Sequence, residues 1–324
     1  MAVFTKVSKN QMAIFINSYD VGELISFKGI EEGVENTNFL IITTYGKYIL
    51  TLYEKRVNPL DLPFFLSLMT HLSSAGLTCP TPIQDRNGKQ LRELAGRNAV
   101  LVSFLPGLCI IRPEPNHCQE AGGALARFHK AGQNFTMKRT NTLGPDGWKL
   151  LFKQIEHRAN EIYKDLDQII LAEFRALLPN WPKHLPVGVI HADLFPDNMF
   201  FCEGTFSGVI DFYFSCNDFL AYDLAICINA WCFEPNISYN LSKGESFLRG
   251  YEKERPLTSE EKKALPLLAR GAAVRFLLTR SYDWLHTTPD SLVKPHNPID
   301  YLYRLLFHQS VKSSAEYGLH RSNT

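Results

Sequence analysis

The sequence predicts an α+β chain in two lobes. A small N-terminal lobe, residues 1–106, is built on an antiparallel β-sheet, and a larger C-terminal lobe, residues 107–324, is mainly α-helical. Three observations carry that expectation. The first third of the chain is rich in β-branched and aromatic runs separated by Gly and Asn. From about residue 115 apolar residues recur at helical spacing. Between the two regimes stands Pro106-Gly107, a pair that ends regular structure of either kind.

In chain order, GELISFKGI (22–30), NFLIITTYG (38–46) and KYILTLYEK (47–55) read as three strands. Gly46-Lys47 allows the tight connection of a hairpin between the second and third. PLDLPFFLSLMTHLSSAG (59–76) reads as a helix, with Pro59 suited to its first turn and Gly76 to its C-terminal end. CPTPI (79–83) stops that helix, and KQLREL (89–94) and NAVLVSFLPG (98–107) follow as two further strands. NHCQEAGGALARFHKAGQNF (116–135) is an amphipathic helix. Further helical patterns occupy about 148–178, 219–233, 240–254, 259–285 and 298–316, with VGVI (187–190), MFF (199–201) and SGVI (207–210) as short strands among them. TNTLGPDG (140–147) and LPNWPKHLP (178–186) read as loops, and no internal repeat or low-complexity tract is present.

The chain is long enough for two domains with a real core, and it is 45% apolar and 21% charged. A net charge of +1 gives no electrostatic case for nucleic acid or an anionic membrane. No apolar run reaches the length of a membrane span, and MAVFTKVSKNQMAIF (1–15) is too polar for a secretory signal. The seven cysteines form no C-x-x-C pair, which points to buried thiols in a reducing cytosol and away from structural zinc. A cytoplasmic location is therefore expected, and oligomeric state is left open.

VIHADLFPDNMFF (189–201) sets carboxylates and an amide into an apolar run. Asp193 and Asn198 are five apart, and Asp211 follows thirteen residues after Asn198, in GVIDF (208–212). An apolar hairpin there would place its polar ends side by side. Asn198 and Asp211 would then offer oxygen ligands to one hard cation such as Mg²⁺. Asp193, on the turn, would face a hydroxyl and accept its proton or orient it. The plainer alternative is that all three are turn residues. His191 is expected to hold the loop by hydrogen bonds, and Asp197 to be solvated.

H-x-D-L-x-P-x-N at His191, Asp193, Leu194 and Asn198, followed by Ile210-Asp211-Phe212, resembles the catalytic and metal-binding loops of the eukaryotic-like kinase superfamily. Tyr213 stands where a protein kinase has Gly, and no A-P-E follows; YDLAICINAW (222–231) comes instead. That layout, with LARFH (125–129), is similar to the aminoglycoside-phosphotransferase-like branch, whose members phosphorylate small molecules. Within it, VENTNF (34–39), YILTLYE (48–54), LPFFLSLMTHL (62–72), GWKLLF (147–152) and RFLLTRSYDW (275–284) resemble the bacterial homoserine kinase family. The resemblance implies a protein-kinase-like two-lobe fold with ATP and Mg²⁺ as cofactors and L-homoserine as the small-molecule acceptor. The product is then O-phospho-L-homoserine, on the way to threonine. The rival readings are a sister kinase for choline, ethanolamine, methylthioribose or an aminoglycoside, and a catalytically inactive nucleotide-binding regulator.

The same resemblance gives roles to other segments. Gly29 and Gly33, in SFKGIEEGVENTNF (26–39), would let backbone N–H groups approach phosphate oxygens. Ser103, Phe104 and Leu105 would form the hinge whose backbone meets an adenine edge. Thr51 occupies the third-strand position where most relatives carry a phosphate-gripping lysine, and the helix after it has no glutamate. Both halves of that ion pair are thus absent together. Mg²⁺ and loop backbone would then carry most of the phosphate charge. ARGAAVRFLLTRSYDWL (269–285) reads as a buried helix whose arginines need partners. Arg270, Arg275 and Arg280 either pair with acids such as Asp223 or Asp283, or Arg275 or Arg280 grips a substrate carboxylate in a bidentate fork. Asn36, Asp218 and Asp223 are candidates for the substrate ammonium.

Overall fold

A helix opens the chain where the strand-rich reading of the first third has none. In the computed structural model, which describes residues 5–30, 36–54, 57–288 and 294–319, α1 spans Lys9–Ile16. Its start is a capping box: Ser8 Oγ accepts from Gln11 N at 3.2 Å, and Gln11 Oε1 accepts from Ser8 N at 3.0 Å. Too short to show a clear period, α1 is held by packing. It buries Met12, Phe15 and Ile16 in a core shared with Phe39, Ile41, Leu50, Leu52, Ala99 and Leu101 of the sheet.

That sheet has five strands: β1 (Leu24–Ile30), β2 (Thr37–Thr43), β3 (Lys47–Leu52), β4 (Arg92–Leu94) and β5 (Arg97–Ser103). Their order is β1-β2-β3-β5-β4, and every neighbour pair is antiparallel. β2 buries every second residue from Thr37 to Thr43, the mark of a strand with one core face. Ala95 and Gly96, both at positive φ (53° and 72°), make the tight turn between β4 and β5. α2 (Leu62–Ser74) turns Phe64, Phe65, Leu68, Met69 and Leu72 inward. These elements form one compact unit, residues 1–106, which segment 208–213 joins.

The second unit comprises 107–207 and 214–324. It contains β6 (Leu108–Cys109), α3 (Pro115–Ala131), α4 (Pro145–Ile155), α5 (Leu166–Leu177), β7 (Val187–Ile190), β8 (Met199–Cys202), β9 (Thr205–Val209) and β10 (Cys216–Phe219), followed by α6 (Leu220–Trp231), α7 (Leu241–Glu254), α8 (Ser259–His286) and α9 (Ile299–Ser310). The single helical pattern expected at 148–178 is two helices. Asp165, at φ 59°, stands between them in the left-handed region that Asp tolerates better than most residues. α3 and α7 pack backbone to backbone through glycine. A Cβ on Gly122 would lie 2.0 Å from Phe247 O, and one on Gly250 would lie 2.1 Å from Gln119 O. α6 is buried on nearly every side, as its largely apolar sequence requires, with Asp223 and Asn229 among its buried residues. Two short sheets complete the unit, β10-β7 and β6-β8-β9.

Candidate active site

Strand β7 delivers the chain to His191, Ala192 and Asp193. Ala192 takes φ 65°, a left-handed conformation costly for a residue with a Cβ. Its surroundings fix it there. Asp223, fully buried on α6, accepts from His191 N at 2.7 Å through Oδ2 and from Ala192 N at 2.9 Å through Oδ1. The Ala192 carbonyl accepts from the Arg275 guanidinium of α8. The Leu194 carbonyl accepts from Trp231 Nε1 at 2.8 Å. The turn is therefore suspended from α6 and α8 by its own backbone groups.

Asp223 is oriented in turn. Its Oδ2 lies 3.0 Å from His129 Nε2, and His129 Nδ1 lies 2.8 Å from the Tyr251 hydroxyl. That hydroxyl accepts from Arg255 Nη1 at 3.0 Å, so its proton is directed to His129 Nδ1 and the Nε2 proton to Asp223. Burial alone would raise the Asp223 carboxyl. The His129 hydrogen bond, the His129 and His191 rings and the His191 N–H outweigh it and hold the carboxyl below the usual range. His191 is itself buried, its ring against Phe128, and its Nδ1 lies 3.3 Å from Asp193 N.

A short 3₁₀ turn, Pro196–Asn198, leads into β8. Asn198 Nδ2 donates to the Asp193 carbonyl at 2.8 Å and lies 3.5 Å from Asp193 Oδ2. The amide nitrogen is thus engaged with the loop, and the amide oxygen is the atom left for a cation. Glu203 and Gly204, at φ 50° and 77°, turn β8 into β9, giving the expected hairpin. Asn198 stands immediately before β8, and Asp211 stands two residues after β9. Asp211 adopts φ 64°, a second strained non-glycine position among the functional candidates.

Asp211 belongs to the first unit with its neighbour Tyr213. The Tyr213 hydroxyl lies 3.0 Å from that of Tyr53, and its ring meets Phe65 of α2 edge-on at 5.7 Å. Burial raises both phenols, and the Asp211 charge raises them further. Thr51 donates to Asn38 Oδ1 at 2.7 Å, so the third-strand position is a neutral hydrogen-bonded pair. The donor set on offer, a carboxylate and an amide oxygen, is hard. Among the described residues no three His, Cys, Asp or Glu side chains are grouped to hold a metal. Such sparse oxygen donation fits Mg²⁺, which keeps several waters and takes phosphate oxygens for the rest.

Other expectations fall differently. Gly29 is a ladder residue of β1 opposite Phe39, because the strand runs on to Ile30. Gly33 lies outside the described residues. Asn36 Oδ1 accepts from Glu54 N at 3.3 Å, tying the start of β2 to the end of β3. Ser103 ends β5, tied to Thr81 by N–H to carbonyl at 3.0 Å and by its Oγ at 2.9 Å. Phe104 is partly exposed with Lys47 Nζ 5.6 Å from its ring, and Leu105 sits against Gly208.

Arg275, read as a possible carboxylate fork, is 2% exposed and engaged with the Ala192 carbonyl. It is therefore not open to a ligand. Arg270 pairs with Glu173 at 2.8 Å, and Arg280 with Asp300 at 3.6 Å, rather than with Asp223 or Asp283. Asp223 and Asp218, the candidates for an ammonium group, are both engaged within the protein. The first holds the loop, and the second accepts from Asn141 Nδ2 at 2.7 Å and Phe219 N at 2.7 Å. Sequence reading missed Asp223, Trp231 and Arg275 as supports of the loop. The available signal was a buried Asp and Arg in apolar helices, whose cost demands specific partners.

Comparison with known proteins bears on the family and the fold. Residues 26–257 match the family model described as the phosphotransferase enzyme family. A homoserine kinase of Xanthobacter autotrophicus is 56% identical over 319 residues, covering 98% of this chain and 99% of that protein. Another, of Sinorhizobium fredii, is 56% identical over 321 residues, covering 99% and 98%. Among solved structures, an amicoumacin kinase in complex with AMP-PNP, Ca²⁺ and Ami superposes with a TM-score of 0.69 at 15% identity, covering 94% of this chain and 95% of that one. A microcompartment-associated aminopropanol kinase gives 0.62 at 18% identity, covering 96% and 98%. Those two likenesses establish the protein-kinase-like fold.

Proposed function

The chain belongs to the phosphotransferase enzyme family and, within it, to the homoserine kinases, and from that premise we propose how its residues perform the transfer. ATP gives its γ-phosphoryl group to the hydroxyl of L-homoserine, a small-molecule acceptor. The new bond joins the acceptor oxygen to the γ-phosphorus, the bond from that phosphorus to the β–γ bridging oxygen breaks, and ADP leaves with the electron pair. Asp193 aligns the acceptor hydroxyl in line with the γ-phosphorus and takes its proton. The single observation that carries this role is the suspension of the Asp193 turn from Asp223, Arg275 and Trp231, which fixes the backbone on either side of Asp193.

Asn198 and Asp211 are the groups that would hold Mg²⁺, which neutralises phosphate charge when bound. The hairpin between them and the engaged Asn198 amide nitrogen support that pairing. The segment Ser103–Leu105 is assigned to the adenine edge. With Thr51 at the usual lysine position, Mg²⁺ and loop backbone would carry most of the charge of the α- and β-phosphates. No described helix is long and apolar enough to cross a membrane, which accords with a cytoplasmic biosynthetic enzyme.

An ADP-release assay over L-homoserine, choline, methylthioribose and kanamycin tests the substrate. Turnover should be confined to L-homoserine. Turnover of choline, methylthioribose or kanamycin with none of L-homoserine would overturn the reading.

A further inference from the structure

Asp193 accounts for the hydroxyl end of the acceptor, and the other end carries a carboxylate. We propose that this carboxylate is received by Arg280 and Arg304, which flank the ring of Tyr301 where α8 meets α9. This deepens the homoserine kinase reading and rests on it. The first observation is a row of rings leading from the catalytic loop. Phe195, two residues after Asp193, meets Phe276 at 5.1 Å, and Phe276 stacks on Tyr301 at 5.0 Å. The Arg280 guanidinium lies 4.5 Å from the Tyr301 centroid, and that of Arg304 lies 4.7 Å from it. Arg275 lies 4.4 Å from the Phe276 ring.

The second observation is a guanidinium without an ion pair. Arg304 donates only to carbonyls, from Nε to Asn229 O at 3.1 Å and from Nη1 to Asp300 O at 3.2 Å, and has no ion pair among the described residues. Burial pulls its guanidinium pKa down, Tyr301 opposes that, and Arg280 adds to the lowering. Arg280 has Asp300 as its ion-pair partner at 3.6 Å, so Arg304 is the guanidinium of this pair that no carboxylate answers among the described residues. Uncompensated positive charge at partly buried positions is costly, and an anionic ligand group relieves it.

The third observation is the Tyr301 hydroxyl, fully buried and without a hydrogen-bond partner among the described residues. Burial raises this phenol, Arg280 and Arg304 lower it, and Asp193 raises it, so one group lies within electrostatic reach of both the catalytic carboxylate and the arginine pair. L-homoserine spans about 5 Å from its hydroxyl oxygen to its carboxyl carbon. Nearby, burial and Arg280 lower the pKa of His296, and Asp197, Asp300 and Asp283 oppose them. A zwitterion placed here meets both signs of charge.

The test compares L-homoserine with 3-amino-1-propanol, which keeps the hydroxyl and amine and lacks the carboxylate, assayed as a competing ligand. Arg280→Gln should raise the KM for L-homoserine about 30-fold while the inhibition constant of the amino alcohol and the KM for ATP stay put. Arg304→Lys, chosen because Arg304 also ties down two carbonyls, should raise the same KM without a change in melting temperature. Arg275→Gln should lower kcat and leave the preference for the carboxylate intact, as a support of the loop. Unchanged KM in both the Arg280 and Arg304 variants would overturn the subsite. So would an equal loss for the amino alcohol. Wild-type protein that fails to phosphorylate L-homoserine would overturn the underlying reading, and that is seen before any variant is made.

Discussion

Asp223 shows how one buried side chain can hold a turn through its backbone. It is fully buried, and both its oxygens accept backbone N–H groups of the turn that carries Asp193. A buried carboxylate persists only where such bonds replace lost water. His308 is a second buried group with a measurable consequence. Asn229 Nδ2 donates to the Ala225 and Ala269 carbonyls, so Asn229 Oδ1 accepts from His308 Nε2, and His308 Nδ1 accepts from Tyr317. The neutral ring is satisfied, and burial, with Arg304 and Arg270 adding, pushes its pKa down to about 3. Above pH ~6.5 the ring is neutral in both folded and unfolded chains and contributes no pH dependence. Below that the unfolded chain binds a proton that the folded chain refuses, so stability falls by about 1.4 kcal/mol per pH unit until about pH 3. Urea unfolding between pH 7 and 5 should show this slope in the wild type and a shallower one in His308→Gln. Equal slopes would contradict it.

At the scale of elements, what the sequence made legible depended on whether the signal was local. The strands of the first sheet, the hairpin before Asp211 and the helices from α6 onward follow from alternation, turn residues and period. α1 was not legible, since eight residues with one apolar face form a helix only because a sheet receives that face. The close contact of α3 and α7 was equally hidden. Glycine at 122 and 250 weakens helix propensity and gives no clue which helix it admits. The contact matters because α3 carries His129, the partner of Asp223, and α7 carries Tyr251, the partner of His129. Gly250→Ala puts a methyl group 2.1 Å from the Gln119 carbonyl. It should cost roughly 1–3 kcal/mol, read as a lowered melting temperature, with a loss of activity as the loop support shifts. A variant as stable and active as wild type would show that the helices need not approach so closely.

At the scale of the whole molecule, Asp193 and Asn198 belong to one compact unit and Asp211 to the other. Their spacing in the sequence was legible because H-x-D-L-x-P-x-N and I-D-F are short motifs. The groups that suspend them were not, because Asp223, Trp231 and Arg275 lie roughly 30 to 80 residues further on and act through backbone atoms that carry no sequence signature. The substrate end was legible only in part. Arg280 was visible as a charged residue in an apolar helix, whereas Arg304 and Tyr301 gain meaning only once α9 lies beside α8. Thr51, hydrogen-bonded to Asn38, stands where the resemblance to kinases places a lysine. Chemistry at Asp193 should then be indispensable while the third strand is not.

One experiment separates these roles: steady-state kinetics with L-homoserine for Asp193→Ala and Thr51→Ala, alongside ATP affinity by calorimetry. Asp193→Ala should lose about 10²–10⁴-fold in kcat with ATP affinity retained, and Thr51→Ala should lose less than about tenfold. Near-normal kcat for Asp193→Ala, or a loss at Thr51 as severe as that at Asp193, would contradict a transfer in which the suspended aspartate handles the acceptor hydroxyl.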